Sequence, residues 1–204
     1  METKRKTKEE MDEVIECLQA GGVAAFPTDT VYGLGVIYDD EKALERLKEA
    51  KGRPENKPIP LMISNLKQIE SVAVVTEKAK KLIQKFMPGA FTIILKKREN
   101  VPAYVTNGFD TIGIRMPDDD FILELMNRIG KPMLVTSANM SGMPTGTTFM
   151  EVIEQLEGRI DMVVKGMCGC KESSTIADAS TDAVKLIRKG PISEDEIMKI
   201  VEEN

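Results

Sequence analysis

Apolar residues recur along this chain with two periods, and the switches between them mark its elements. Helical spacing first appears from Thr7 to Ala20, where Met11, Val14, Ile15 and Leu18 fall on one face. Thr7 and Glu10 precede them in a T-x-x-E capping pattern, and Gly21-Gly22 ends the run. Further helices are predicted from Asp40 to Ala50, Asn65 to Val72, Thr76 to Phe86, Asp120 to Ile129 and Thr148 to Leu156, with a last one opened by Ser193 and Glu196. Short apolar runs bounded by Gly, Pro or polar residues predict strands. These cover 23–26, 59–63, 91–95, 111–115, 133–135, 161–164, 174–177 and 184–187. Helices and strands interleave throughout, which argues for an α/β fold with a mixed sheet in a single domain spanning 1–204.

Composition narrows the chemistry. The apolar share of 42% suits a chain that buries a core. Histidine is absent, which excludes Ser/His or Cys/His dyads and any His-containing metal site within the chain. With 28 basic and 33 acidic side chains the net charge is −5, an unfavourable balance for a dedicated nucleic-acid coat. A local basic pocket remains compatible with it. Cys17, Cys168 and Cys170 have no disulfide-framework spacing, and Cys168-Gly-Cys170 reads as ordinary reduced thiols. No apolar run approaches a membrane span, and the N-terminus is polar; a reducing cytoplasm is the expected location.

Four polar segments follow or interrupt apolar strands, where α/β proteins build sites. PTDTVYGLG at 27–35 gathers hydroxyls, a carboxylate and a phenol, with glycines that could let a ligand approach the backbone; spacing alone favours a capped turn. KGRPENKP at 51–58 places Lys51, Arg53 and Lys57 in one loop, a combination suited to a polyphosphate, while Lys51 alone reads as a helix C-terminal cation. VTSANMSG at 135–142, followed by Thr145, Thr147 and Thr148, offers donors to an anion or caps to a helix. ESSTI at 172–176 and LIRKGP at 186–191 close the set, with Arg188 before a Gly-Pro turn. No Walker loop and no G-x-G-x-x-G is present.

Taken in order, PTDTVYGLG, KGRPENKP, FMPGAFTIIL, IRMPDD, TSANMSG and SSTI with IRKGP resemble the YrdC-type family of threonylcarbamoyl-adenylate synthases from about Glu13 to Pro191. The chain ends at Asn204, so the likeness is to the short, single-domain form. The resemblance implies a strongly twisted mixed sheet, flanked by helices, around a large open cavity. It also implies the reaction of L-threonine, bicarbonate and ATP with Mg²⁺, a nucleotidyl transfer that gives threonylcarbamoyl-AMP and pyrophosphate. The product then serves a downstream threonylcarbamoyl-transferase complex acting on tRNA.

Carried over residue by residue, Thr30, Tyr32, Arg115 and Ser174 fall on the L-threonine side. Lys51, Arg53, Lys57, Ser137, Asn139, Thr145 and Arg188 fall on the ATP side, with Lys51 and Arg53 expected to be catalytic. Magnesium is expected on the ATP phosphates, not on the protein alone. Charge reversal of Lys51 or Arg53 should then destroy activity and leave the fold intact. Met62 stands where several relatives carry a threonine-contacting histidine. The stretch from Lys97 to Asp110 matches no motif and stays uninterpreted, with a mobile cover over the cavity as one candidate role. The rival reading is a non-catalytic module that uses the same cavity to bind nucleotide, tRNA or double-stranded RNA. The low aromatic content, 4%, speaks against it, because base recognition relies on stacking.

Overall fold

Where a polar cap closes an apolar stripe, the helix forms. A computed structural model describes residues 2–53, 57–170 and 172–202. The chain opens with strand β1 (Lys4–Lys6), a 3-10 turn and helix α1 (Met11–Gln19), and the Glu10 carboxylate accepts the Thr7 N–H at 2.8 Å as the capping pattern requires. Strands β2 (Ala24–Phe26) and β3 (Gly33–Ile37) follow, then α2 (Glu41–Lys51), which starts on an Asp40 cap and stops at left-handed Gly52. Next come β4 (Leu61–Met62), α3 (Lys67–Val72), β5 (Ala73–Val74), α4 (Glu77–Phe86), β6 (Phe91–Lys97), β7 (Thr111–Arg115) and α5 (Asp120–Ile129). The chain continues through β8 (Met133–Ser137), α6 (Phe149–Leu156), β9 (Met162–Val164), β10 (Thr175–Asp178), β11 (Lys185–Arg188) and α7 (Glu194–Glu202).

Among the described residues these strands form one eleven-stranded sheet in the order β1-β9-β2-β3-β8-β4-β7-β6-β10-β11, with β5 paired to β6. Pairing is mixed: β9 with β2, β4 with β7 and β6 with β10 run parallel, whereas β2/β3, β3/β8, β8/β4, β6/β7 and β10/β11 are antiparallel. The expected mixed α/β sheet is therefore present.

Side chains alternate across a strand, so the sheet supports two cores. On one face Val14, Leu18, Phe121, Ile122 and Leu125 from α1 and α5 cover Ala24, Phe26, Met133 and Val135. Leu44, Leu47, Leu82, Ile153 and Leu156, from α2, α4 and α6, pack with Ala25, Leu34, Val36, Leu61, Ile93 and Ile114 in the other.

One expectation is extended here and another changes. The glycines of PTDTVYGLG make room for protein, and Gly33 also lines a cavity. A Cβ on Gly35 would lie 2.9 Å from the Phe26 ring and from Met133, and one on Gly33 would lie 2.9 Å from Val135. The 97–110 stretch is packed down, with Val101 and Val105 buried in the core and the Thr106 hydroxyl donating to the Phe109 carbonyl at 2.8 Å.

Candidate active site

Seven strands adjacent in the sheet, from β3 through β8, β4, β7, β6 and β10 to β11, each contribute to the wall of one cavity of about 320 Å³. This lies within the range of small-molecule sites, about 300–1,000 Å³. Arg53, Lys57, Arg115 and Arg188 line it, and no carboxylate does among the described residues. In a chain of net charge −5, four cations without a lining acid make a concentrated anion site.

Arg115, the last residue of β7, is 7% exposed and anchored from three directions. Its Nη2 donates to Asp29 Oδ1 at 2.6 Å, its Nη1 to Thr30 Oγ1 at 2.8 Å and its Nε to the Gly89 carbonyl at 3.2 Å. Gly89, at φ 154°, delivers that carbonyl from the turn after α4, which gives the FMPGAF motif a structural purpose. A guanidinium has five N–H donors, so two remain, one on each terminal nitrogen. The neighbouring hydroxyls can be resolved by the same reasoning. Thr28 Oγ1 donates its one hydrogen to the Val31 carbonyl at 2.8 Å, so its 3.1 Å contact with Thr30 must use the Thr30 O–H. Thr30 Oγ1 thus donates to Thr28, accepts from Arg115 and keeps one acceptor position open.

Arg53 and Arg188 have a different environment. Arg53 donates to the Lys57 and Pro58 carbonyls at 3.0 and 2.8 Å and to Thr136 Oγ1 at 3.3 Å. Arg188 donates to the Ser174 carbonyl through Nε at 3.0 Å and Nη2 at 2.7 Å, and to Ser174 Oγ at 3.1 Å. Neither has a carboxylate partner among the described residues. Burial lowers both pKa values from the ordinary arginine range, and the nearby Arg115 adds to the effect on Arg188.

Of the residues singled out from sequence, Thr30, Tyr32, Arg53, Lys57, Arg115, Ser137, Ser174 and Arg188 line the cavity, together with Met62. Tyr32 lines it with its hydroxyl turned away, donating to the Gly166 carbonyl at 2.9 Å; burial pushes that phenol's pKa up. Lys51, Asn139 and Thr145 are not in the wall. Lys51 is 2% exposed, and its ammonium donates to the Ser137 and Asn139 carbonyls at 2.5 and 2.6 Å and to Asn139 Oδ1 at 3.3 Å. Burial, with the adjacent Arg53, pushes its pKa down to about 7. The Asn139 amide group donates to the Met140 and Met143 carbonyls, at 2.9 and 2.8 Å. These two side chains therefore build the 137–143 loop from behind. Charge reversal at Lys51 would place a carboxylate against three oxygens, so loss of the fold is the outcome now expected at this residue.

Thr145 is half-buried on the loop beyond, next to Gly146, whose carbonyl accepts the Tyr32 N–H at 3.0 Å. Pro54, Glu55 and Asn56 of the basic motif lie outside the described residues. The 97–110 stretch supplies no lining residue, so it is not a cover for this cavity. Cys168 and Cys170 are free, and no metal-binding group of three or more His, Cys, Asp or Glu exists among the described residues.

Sequence reasoning passed over Thr92 and Pro60 in the wall. Thr92 had a signal: it is the polar member of FTIIL on the face opposite Phe91 and Ile93. Its Oγ1 lies 2.8 Å from Ser174 Oγ.

Comparison with known proteins gives concordant findings. The family model for Sua5, YciO and YrdC, described as "Telomere recombination", matches residues 16–190. Threonylcarbamoyl-AMP synthase of Pyrococcus abyssi is 37% identical over 188 residues, which cover 91% of this chain and 55% of the relative. Its counterpart from Bacillus subtilis is 38% identical over 187 residues, 90% of this chain and 54% of the relative. The chain thus spans about half the length of these two curated relatives. The crystal structure of P. abyssi Sua5 complexed with L-threonine superposes with a TM-score of 0.91 at 35% identity, covering 98% of this chain and 60% of that one. No helix among the described residues is long and apolar enough to cross a membrane.

Proposed function

Because this chain belongs to the Sua5/YciO/YrdC family, we propose that it is a threonylcarbamoyl-AMP synthase, a nucleotidyltransferase that joins L-threonine, bicarbonate and ATP. The observation that carries this reading is the cavity lined, among the described residues, by four cations and no carboxylate, which suits two anionic substrates held together. In water their mutual repulsion opposes the encounter, and fixed positive groups in a partly desolvated site offset it.

On this reading the two open N–H groups of Arg115 hold the threonine carboxylate, as arginine does with carboxylates generally. Thr30 Oγ1, with its open acceptor position, faces the amino group, and Ser174 completes that side. Arg53, Lys57 and Arg188 hold the triphosphate, with the Ser137 hydroxyl beside it. Lys51 and Asn139 act at one remove by fixing the 137–143 loop, and Thr145 is given no contact with ligand. The threonine amine adds to bicarbonate with loss of water to give a carbamate. A carbamate oxygen then attacks the α-phosphorus of ATP, and pyrophosphate leaves in line. The nucleophile is already anionic, so no general base is needed, which accords with a chain that lacks histidine.

Among the described residues the wall offers hydroxyls and carbonyls but no carboxylate, so these residues do not by themselves fit a magnesium ion. A cytoplasmic site of action and transfer of the product to tRNA by a separate complex complete the proposal. The experiment is pyrophosphate release from ATP, Mg²⁺ and bicarbonate, with and without L-threonine. Threonine-dependent release is the expected result. Folded, ATP-binding protein that releases none would favour the RNA- or nucleotide-binding module.

A further inference from the structure

The residue that holds Arg115 most tightly is absent from the cavity wall. Asp29 accepts from Arg115 Nη2 at 2.6 Å across 86 positions of sequence, yet it lines no part of the cavity. We propose that Asp29 is the positioning residue for the amino-acid site: it orients the Arg115 guanidinium so that the two open N–H groups meet the substrate carboxylate. This deepens the function proposed above and rests on it.

Three observations carry the assignment. First, the anchors on Arg115 engage three different nitrogens, which fixes the guanidinium plane. Two of them, Thr30 Oγ1 and the Gly89 carbonyl, are neutral, so Asp29 supplies the charged one and the shortest of the three contacts.

Second, the backbone around Asp29 is clamped. The Gly169 and Cys170 N–H groups donate to the Thr28 and Thr30 carbonyls at 3.0 and 3.1 Å, one on each side of Asp29. A Cβ on Gly169 would lie 2.6 Å from the Asp29 carbonyl oxygen, so the strap approaches as closely as it does because that residue is glycine. Tyr32 ties the strap's start through the Gly166 carbonyl. The Cys-Gly-Cys segment thereby acquires a structural role that its thiols did not suggest.

Third, positioning and bulk electrostatics predict opposite signs. Removing a negative charge beside Arg115 would, by Coulomb attraction alone, tighten binding of any anion in a cavity already lined by three arginines. Loss of a positioning residue loosens the guanidinium and weakens binding of the one ligand that needs its fork. A misplacement of about 1 Å can change rates about 10²-fold.

The test is L-threonine titration calorimetry together with steady-state pyrophosphate release for wild type, Asp29→Asn and Asp29→Glu. Asp29→Asn is expected to raise the L-threonine Kd and KM by about 10- to 100-fold while the ATP KM stays within about twofold. Asp29→Glu, which keeps the charge, is expected to give an intermediate threonine KM. An Asp29→Asn variant that binds L-threonine as tightly as wild type, or more tightly, overturns the assignment. So does a parallel loss of ATP affinity, which would mark a general structural role. Should Asp29→Asn fail to fold, Asp29→Glu decides: a raised threonine KM with unchanged ATP KM supports the assignment, and a wild-type threonine KM overturns it. If wild type itself binds no L-threonine, the proposed function fails and this assignment with it. If wild type binds and Asp29→Asn binds equally, only the role of Asp29 is lost.

Discussion

Arg115 and the pair formed by Arg53 and Arg188 share one cavity but are held in opposite ways. Arg115 is buried against a carboxylate and keeps two donors free, whereas Arg53 and Arg188 rest on carbonyls and hydroxyls with no acid to balance them among the described residues. A balanced guanidinium is set for geometry, and an unbalanced one stores unfavourable charge that an incoming anion relieves. On the proposed function, the contrast assigns Arg115 to recognition of a small carboxylate and Arg53 with Arg188 to attraction of a polyanion.

The strongest way to break the comparison is charge reversal on each side of the wall. Lys51→Glu should not yield folded protein, because truncating one partner of a buried charged network already costs about 3–5 kcal/mol and reversal adds repulsion. Arg53→Glu, at the cavity surface, should melt near wild type and lower threonine-dependent turnover by about 10²–10³-fold. Thermal melts beside pyrophosphate assays separate the two; a well-folded Lys51→Glu protein would contradict the buried role.

A smaller effect sharpens the contrast between the arginines. Arg115→Ala leaves Asp29 without its cation and should destabilise the fold by about 3 kcal/mol, and Asp29→Ala added to it should recover part of that loss. Arg188→Ala strands no acid and should cost about 1 kcal/mol or less in denaturant unfolding.

Salt should separate the two ligands more gently. Raising ionic strength from about 0.05 to 0.3 M should weaken ATP binding more than L-threonine binding, since the polyanion meets unbalanced charge.

Lys51 also predicts a pH dependence. The Lys51 pKa falls from 10.5 to about 7 on folding, so between those values the unfolded state binds more protons and stability rises with pH. Denaturant midpoints for wild type, taken relative to Lys51→Met, should therefore increase from pH 7 to pH 10; a decrease would reverse the sign.

Most elements were legible because caps and periodicity agreed, as at Thr76 before α4 and Asp120 to Ile129 in α5. The strand β3 was hidden by its glycines, whose reason lies in the distant Phe26 ring. The strand β1 reads Lys-Arg-Lys, and its partners are supplied from elsewhere: β9 in the sheet, and Glu10 and Glu13 on Lys6. The site shows the same divide. Motif order pointed to Arg53, Arg115, Ser174 and Arg188, all of which meet in the cavity. Burial of Lys51 depends on carbonyls 86 and 88 positions away, and the tie of Asp29 to Arg115 on the approach of β7 to the Thr28–Thr30 turn. Local pattern carries neither, because both are products of sheet order.

On the proposed function, one cavity holds an amino acid and a nucleotide together. Calorimetric titration of L-threonine into protein saturated with a non-hydrolysable ATP analogue, and of the analogue into protein saturated with L-threonine, tests it most directly. One site for each ligand in both orders is the predicted result. Mutual exclusion, with either ligand abolishing binding of the other, would contradict it.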